Sequence, residues 1–220
     1  MSVKVLTKGE QTRERILDIA QDAVLHKGFA ATSIEEIICE AGITKSGFFY
    51  HFKDKSELAR GLVDRYAGQN DRLLEDVFGR ARALSDDPLQ QLLIGLTLMA
   101  ERMAALPGGH PGCMVASMSY QDRLFDRDVR GLVTKVVEDW NRFFRDLIEE
   151  IIAIYPPRET VDPDKLARTI CCSIDGGIIM SKSLGQPDVL PEQMLMARNH
   201  VKMIFQPVAV HAMRAEAVAA

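Results

Sequence analysis

Residues 33–52, SIEEIICEAGITKSGFFYHF, restrict the fold more than any other stretch of the chain. Two short runs with helical apolar spacing flank the turn Ala41-Gly42-Ile43. Ser33 stands where an N-cap is needed, with Glu36 three residues on, which is the spacing of a capping box. Thr44 is placed to cap the second run. Gly42 permits the positive φ that so tight a turn demands. Ile34, Ile37, Ala41, Ile43, Phe48 and Phe52 can then close a small interior and hold the second helix out, polar groups facing away. Two short helices joined by a glycine-containing turn form the helix-turn-helix pattern. A helix presented in this way fits the major groove of DNA, where its first turns reach base edges. Taken without its surroundings, the same pattern also describes plain helix packing.

The rest of the chain reads as helix throughout. Apolar residues at three- and four-residue intervals, cut by Gly and Pro, predict helices at about 10–27, 34–40, 45–51, 55–83, 89–105, 113–121, 126–154, 163–184 and 191–205. Pro107-Gly108-Gly109-His110-Pro111-Gly112 reads as a loop, and Pro156-Pro157 stops the seventh helix. Neither a strand pattern nor a fixed-period repeat emerges. The Ala-rich tail after Pro207 reads as frayed. The expected fold is all-α: a three-helix helix-turn-helix head at residues 1–54 and a six-helix body at residues 55–220.

Composition narrows the partners. With 220 residues, 47% of them hydrophobic, the chain has enough apolar material for a real core. The formal net charge of −4 does not announce a nucleic-acid binder, so DNA affinity needs a local patch. The first 60 residues balance basic against acidic side chains, which leaves the acidity to the rest. Cys39, Cys113, Cys171 and Cys172 have no framework-like spacing and read as free thiols of a reducing cytoplasm. No leading apolar segment and no run of membrane-spanning length is present.

An ordered constellation around the motif makes the reading more specific. It comprises Arg15-Ile16-Leu17, Ala20, Lys27-Gly28-Phe29, Ala31-Thr32-Ser33-Ile34, Ile37, Ala41-Gly42-Ile43-Thr44-Lys45 and His51-Phe52-Lys53-Asp54-Lys55, followed by Leu58. Over residues 10–62 this closely resembles the TetR/AcrR family of transcriptional regulators. Beyond residue 62 only length, helix count and the Gly-Cys-Met after the loop resemble it. The resemblance implies a ligand-responsive repressor, not an enzyme, that binds a palindromic operator as a homodimer and is released by a small effector. It implies phosphate contacts from Thr32 and Ser33 and a recognition helix opened by Thr44, Lys45, Ser46 and Gly47. Tyr50 and His51 would project toward the groove, and Lys55 would anchor a phosphate. His51 equally fits a structural role; for Lys45 a solvated surface position is the lesser alternative to a DNA contact. The family commonly has Tyr where this chain has Phe49, so the hydroxyl usually given to a phosphate is lost there unless Tyr50 replaces it.

The family's body binds a small molecule, and the soft and apolar side chains Met99, Met103, Cys113, Met114, Met118, Trp140 and Phe144 suit a largely apolar effector, with Tyr120 and Asp175 as polar candidates. For each of the apolar ones taken singly, core packing is the simpler reading. A dimer is expected from helical stripes at Ile170, Ile174, Gly177, Ile178 and Ser181 and at Met194, Ala197, Val201 and Ile204, as two hairpins making a four-helix bundle. The long helix from residue 55 would be the lever between effector and head.

Rival readings have less support. His110 and Cys113 form a possible nucleophile pair, but neither a third orienting group nor an oxyanion loop accompanies them. The five histidines are scattered without metal-ligand spacing, and no cofactor motif appears. Cys171-Cys172 fit oxidant sensing or plain burial. A helical ligand-binding protein or an enzyme without DNA binding remains the alternative.

Overall fold

A computed structural model describes residues 6–157 and 159–205; the tail after Pro207 lies outside the described residues. Nine α-helices occur among them: α1 Lys8–Lys27, α2 Ile34–Ala41, α3 Lys45–His51, α4 Lys55–Leu84, α5 Pro88–Ala104, α6 Met114–Ser119, α7 Arg127–Ile154, α8 Pro163–Leu184 and α9 Val189–Phe205, with a 3-10 turn at Asp122–Leu124. The described residues contain no strand. No described helix is long and apolar enough to cross a membrane.

Local chemistry sets the ends. Thr7 and Glu10 form a complete capping box at α1. Asp87 and Asp162 cap α5 and α8, each followed by the proline that suits a first helical turn. Gly42 and Gly185 end α2 and α8 in the left-handed conformation.

The chain packs as two compact units. One contains the residues up to Leu73 together with Pro111–Asp139; the other contains Leu74–His110 and the residues from Trp140 onward. The first unit is therefore larger than the head delimited at residue 54, because α6, the 3-10 turn and the start of α7 pack into it. Its interior is built on Ile16, Leu17, Ala20, Ile37, Phe48, Phe52, Leu58 and Leu62, all buried. Arg65 of α4 binds the carboxylates of Glu14 (2.7 Å) and Asp18 on α1.

In the second unit Phe78 is buried against Phe143, ring centroids 4.8 Å apart, and Phe144. Gly95 of α5 lies over the Phe78 ring so closely that a Cβ there would fall 2.2 Å from it. Tyr155, after α7, donates to the Asp87 carboxylate. This bond holds the Asp87 carboxyl below and the Tyr155 hydroxyl above its ordinary range.

α9 packs against both α5 and α8. This contact turns the expected dimer stripe inward. Ile170, Ile174, Gly177, Ile178, Ser181, Met194, Ala197 and Val201 are buried within the chain, and Ile204 is half-buried. Apolar spacing marks whichever face is covered, and here the neighbouring helix of the same chain covers it. Gly177 serves that approach: a Cβ on it would sit 3.2 Å from the Leu190 Cα.

Candidate nucleic-acid interface

The head is assembled as the motif requires. The Ser33 hydroxyl accepts from the Glu36 N–H at 3.2 Å, capping α2. The Glu36 carboxylate does not complete a capping box but binds Lys27 across the α1–α2 turn, which holds its pKa below the ordinary range. Thr44 Oγ1 accepts from the Gly47 N–H at 3.1 Å and shares a 3.0 Å hydrogen bond with the Ser46 hydroxyl. Asp54 accepts from the Glu57 N–H at 2.8 Å and starts α4. Phe48 and Phe52 are buried, with centroids 5.8 Å apart, and fix α3 on the α1–α4 core.

The opposite face of α3 is bare. Thr44, Lys45 and Ser46 are exposed, Tyr50 is 83% exposed, and Gly47 and His51 are half-buried. The rings of Tyr50 and His51 meet edge to face at 5.0 Å. Phe49 is partly exposed beside Phe48. The first turn of α3 carries no acidic side chain, whereas that of α2 carries Glu35 and Glu36. A positive helix end with no acidic side chain in its own first turn suits the approach of a polyanion.

Two expected phosphate ligands are otherwise engaged. Thr32 is only 1% exposed, and its hydroxyl donates to the Gly28 carbonyl at 3.0 Å. Its role is to close the α1–α2 turn, a task its position beside a helix N-terminus concealed. Lys55 Nζ donates to the Phe29 carbonyl at 2.9 Å and stands over the Phe29 ring, 4.7 Å from the centroid. Burial lowers its pKa.

The residues that sequence reasoning missed come from far along the chain. Gln121 Oε1 accepts from the Ala30 N–H at 2.9 Å, Phe125 packs on Phe29 at 4.8 Å, and Asp126 pairs with Arg60 at 2.6 Å. Tyr66 donates to the sulfur of Cys113, the cap of α6, at 3.7 Å. The first two contacts join the segment after α6 to the α1–α2 turn, and the other two tie the residue before α7 and the cap of α6 to α4, all within the first unit. No local signal in the sequence announces a partner 91 residues away.

The nine expected effector residues fall in both units. Cys113, Met114, Met118 and Tyr120 belong to the first; Met99, Met103, Trp140, Phe144 and Asp175 belong to the second. Met99, Met103, Met114, Met118 and Phe144 are buried, and Cys113 and Trp140 are half-buried. Trp140 packs on Phe144 at 6.0 Å, and its indole Nε1 is buried with no hydrogen-bond partner among the described residues. Tyr120 is 82% exposed and Asp175 is exposed on α8, so neither lines an enclosed cavity as a polar anchor. Both sit on the outward side of a helix end or face whose apolar residues point in. Burial, with Asp175 and Cys172 nearby, pushes the Cys171 thiol up to about 12. Cys171 is therefore a protonated, unreactive thiol at neutral pH. Cys172 is an exposed thiol and Cys39 another.

A three-helix head with the polar face of its second short helix bare defines a helix-turn-helix DNA-binding regulator. Residues 16–62 match the profile of bacterial regulatory proteins of the tetR family. The transcriptional regulator AcuR of Cereibacter sphaeroides is 29% identical over 164 residues, 74% of this chain and 73% of that protein. A TetR transcriptional regulator from Chloroflexus aurantiacus superposes with a TM-score of 0.74 at 25% identity, over 90% of this chain and 98% of its own. Reduced NemR from E. coli shares the fold at a TM-score of 0.73 and 18% identity, over 91% of this chain and 100% of its own. Residues 16–62 thus carry the DNA-binding segment of the tetR-family regulators, and over most of its length the chain is similar to bacterial transcriptional regulators.

Proposed function

We propose that the protein is a cytoplasmic repressor that binds a palindromic operator as a homodimer and leaves it when a small, largely apolar effector binds. Residues 1–54 are the DNA-binding domain in this reading, and residues 55–220 carry effector binding and dimerisation. The observation that carries it is the bare face of α3, with Thr44, Lys45, Ser46 and Tyr50 exposed on a helix anchored by buried Phe48 and Phe52. Direct readout needs this combination of a rigid scaffold and free side chains at the start of a helix.

The surface offered to a second copy is the outward strip of α8 and α9. Ile179, Met180 and Leu184 on α8 and Met196 and Met203 on α9 are each 42–63% exposed. An apolar strip of this kind on a soluble monomer marks an interaction site. Gly176 lies on the same side of α8, with open space around it. The unpaired Trp140 Nε1 favours an effector that carries a hydrogen-bond acceptor, since a buried donor left alone is costly. Release follows if the effector binds more tightly to a state whose heads no longer match the half-sites.

The test is selection of duplexes from random DNA with the full chain, followed by gel shifts. A two-fold symmetric sequence should be enriched, with affinity falling steeply as salt rises. Thr44→Ala with Lys45→Ala should abolish this preference while leaving the dimer intact. No enriched sequence, or enrichment that survives the double substitution, would overturn the assignment of α3.

A further inference from the structure

Within the second unit an open groove of about 280 Å³ runs between α5 and α9. Leu93, Ile94 and Thr97 form its α5 side; Arg198 and Lys202 form its α9 side. Arg198 is fixed in place: Nη1 donates to Thr97 Oγ1 at 3.0 Å, while Nε and Nη2 donate to Asn199 Oδ1 at 3.2 and 2.9 Å. All these acceptors are neutral, and two of the five guanidinium N–H groups remain to be used. Neither Arg198 nor Lys202 has a carboxylate within ion-pair distance among the described residues. The two cations stand one turn apart on α9, an arrangement that repels unless an anion bridges it. Helix-dipole compensation accounts for Lys202, which is in the last turn of α9. It does not account for Arg198, a turn earlier and held over an apolar floor. At roughly 100° per residue, both cations point well away from Met196 and Met203, so the groove is distinct from the strip assigned to a second copy.

We propose that this groove binds an amphiphilic carboxylate, with the headgroup on Arg198 and Lys202 and the hydrocarbon chain along Leu93 and Ile94. Arg198 supplies a pre-oriented fork and Lys202 a mobile charge, which together suit a carboxylate better than a neutral polar group. The volume is at the small end for ligand sites, which selects a single unbranched chain and not a bulky ring system. The site depends on neither the DNA-binding reading nor the effector residues named above.

The experiment is calorimetric titration of the full chain with sodium decanoate, below its micelle concentration and at constant ionic strength. 1-Decanol serves as the uncharged probe and inorganic phosphate as the competitor. Decanoate should bind at least about tenfold more tightly than decanol, the contribution of one charge-assisted contact. Arg198→Gln with Lys202→Gln should bring decanoate down to the level of decanol and leave decanol unchanged. Lys202→Gln alone changes an exposed residue that no fold contact uses and should weaken decanoate severalfold, which keeps the test valid if the double variant misfolds. The proposal is overturned by absence of decanoate binding, by equal binding of decanol, by unchanged binding in the variants, or by full displacement of decanoate with equimolar phosphate.

Discussion

Gly177→Ala separates the contact inside the chain from the one proposed between two copies. A Cβ at Gly177 would lie 3.1 Å from Leu190 Cδ1, 3.2 Å from Gln193 Cβ and 3.2 Å from Leu190 Cα. The leucine methyl can rotate away, but the Cα belongs to the α9 backbone, so α8 and α9 must separate by a few tenths of an ångström. Forcing an extra methyl into a packed contact costs about 1–3 kcal/mol. Replacing glycine by alanine inside a helix returns up to about 1 kcal/mol. At the middle of both ranges the net expectation is a loss of about 1.5 kcal/mol, or roughly 3–6 °C in Tm for a chain of this size. Gly176 is the internal control. With nothing near its Cβ position, Gly176→Ala gains about 0.4–1 kcal/mol through the unfolded state alone. The assay is thermal unfolding by circular dichroism across a wide range of protein concentration. The Gly177 deficit should persist at every concentration, because it arises within one chain. Bulkier Gly176→Leu should instead weaken the dimer on sedimentation analysis. If Gly177→Ala melts at or above wild type, or if its deficit vanishes on concentration, the packing argument for the α8–α9 contact is wrong.

Lys55→Met should cost the head about 1–2 kcal/mol, because the Phe29 carbonyl loses its charged donor. At matched folded fraction the salt dependence of operator binding should not change, and a slope smaller by about one would make Lys55 a phosphate ligand instead. Gly95→Ala should destabilise the second unit by about 1–3 kcal/mol or more, since the Phe78 ring it would strike is locked by Phe143 and Phe144; Phe78→Leu in the same chain should recover part of the loss in denaturant melts. His110 has its pKa lowered by burial and then by Lys182. With the folded value below the unfolded one, its contribution is complete above about pH 6.5 and is lost as pH falls toward the folded value. Unfolding free energies between pH 7 and pH 5 should therefore fall less steeply in His110→Asn than in wild type; identical slopes would refute the assignment.

Much of the architecture was legible in the sequence because helix signals are local. Ser33 and Thr44 cap the helices they were expected to cap, and Gly42 has the left-handed backbone required of it. Ile37, Phe48 and Phe52 are buried as their spacing requires, which by itself leaves the other face of α3 outside. Capping and 3.6-residue periodicity act within one or two turns, so a window of a dozen residues contains them.

Tertiary structure decided what each face meets. Periodicity marked the inner stripe of α8 and α9 as apolar but not which helix covers it; packing within the same chain does, and the remainder around Ile179, Met180 and Met203 is exposed. Thr32 and Lys55 look from the sequence like ligands for phosphate, yet a carbonyl one turn back and another 26 residues back hold them. The contact of Gln121 with Ala30 and the alignment of Arg198 across from Leu93 join residues about a hundred positions apart. The sequence determined which segments are helices and where they stop, because the interactions that decide this are short-ranged. Only the folded chain decided the neighbours, because burial depends on shape complementarity between surfaces that no local pattern records.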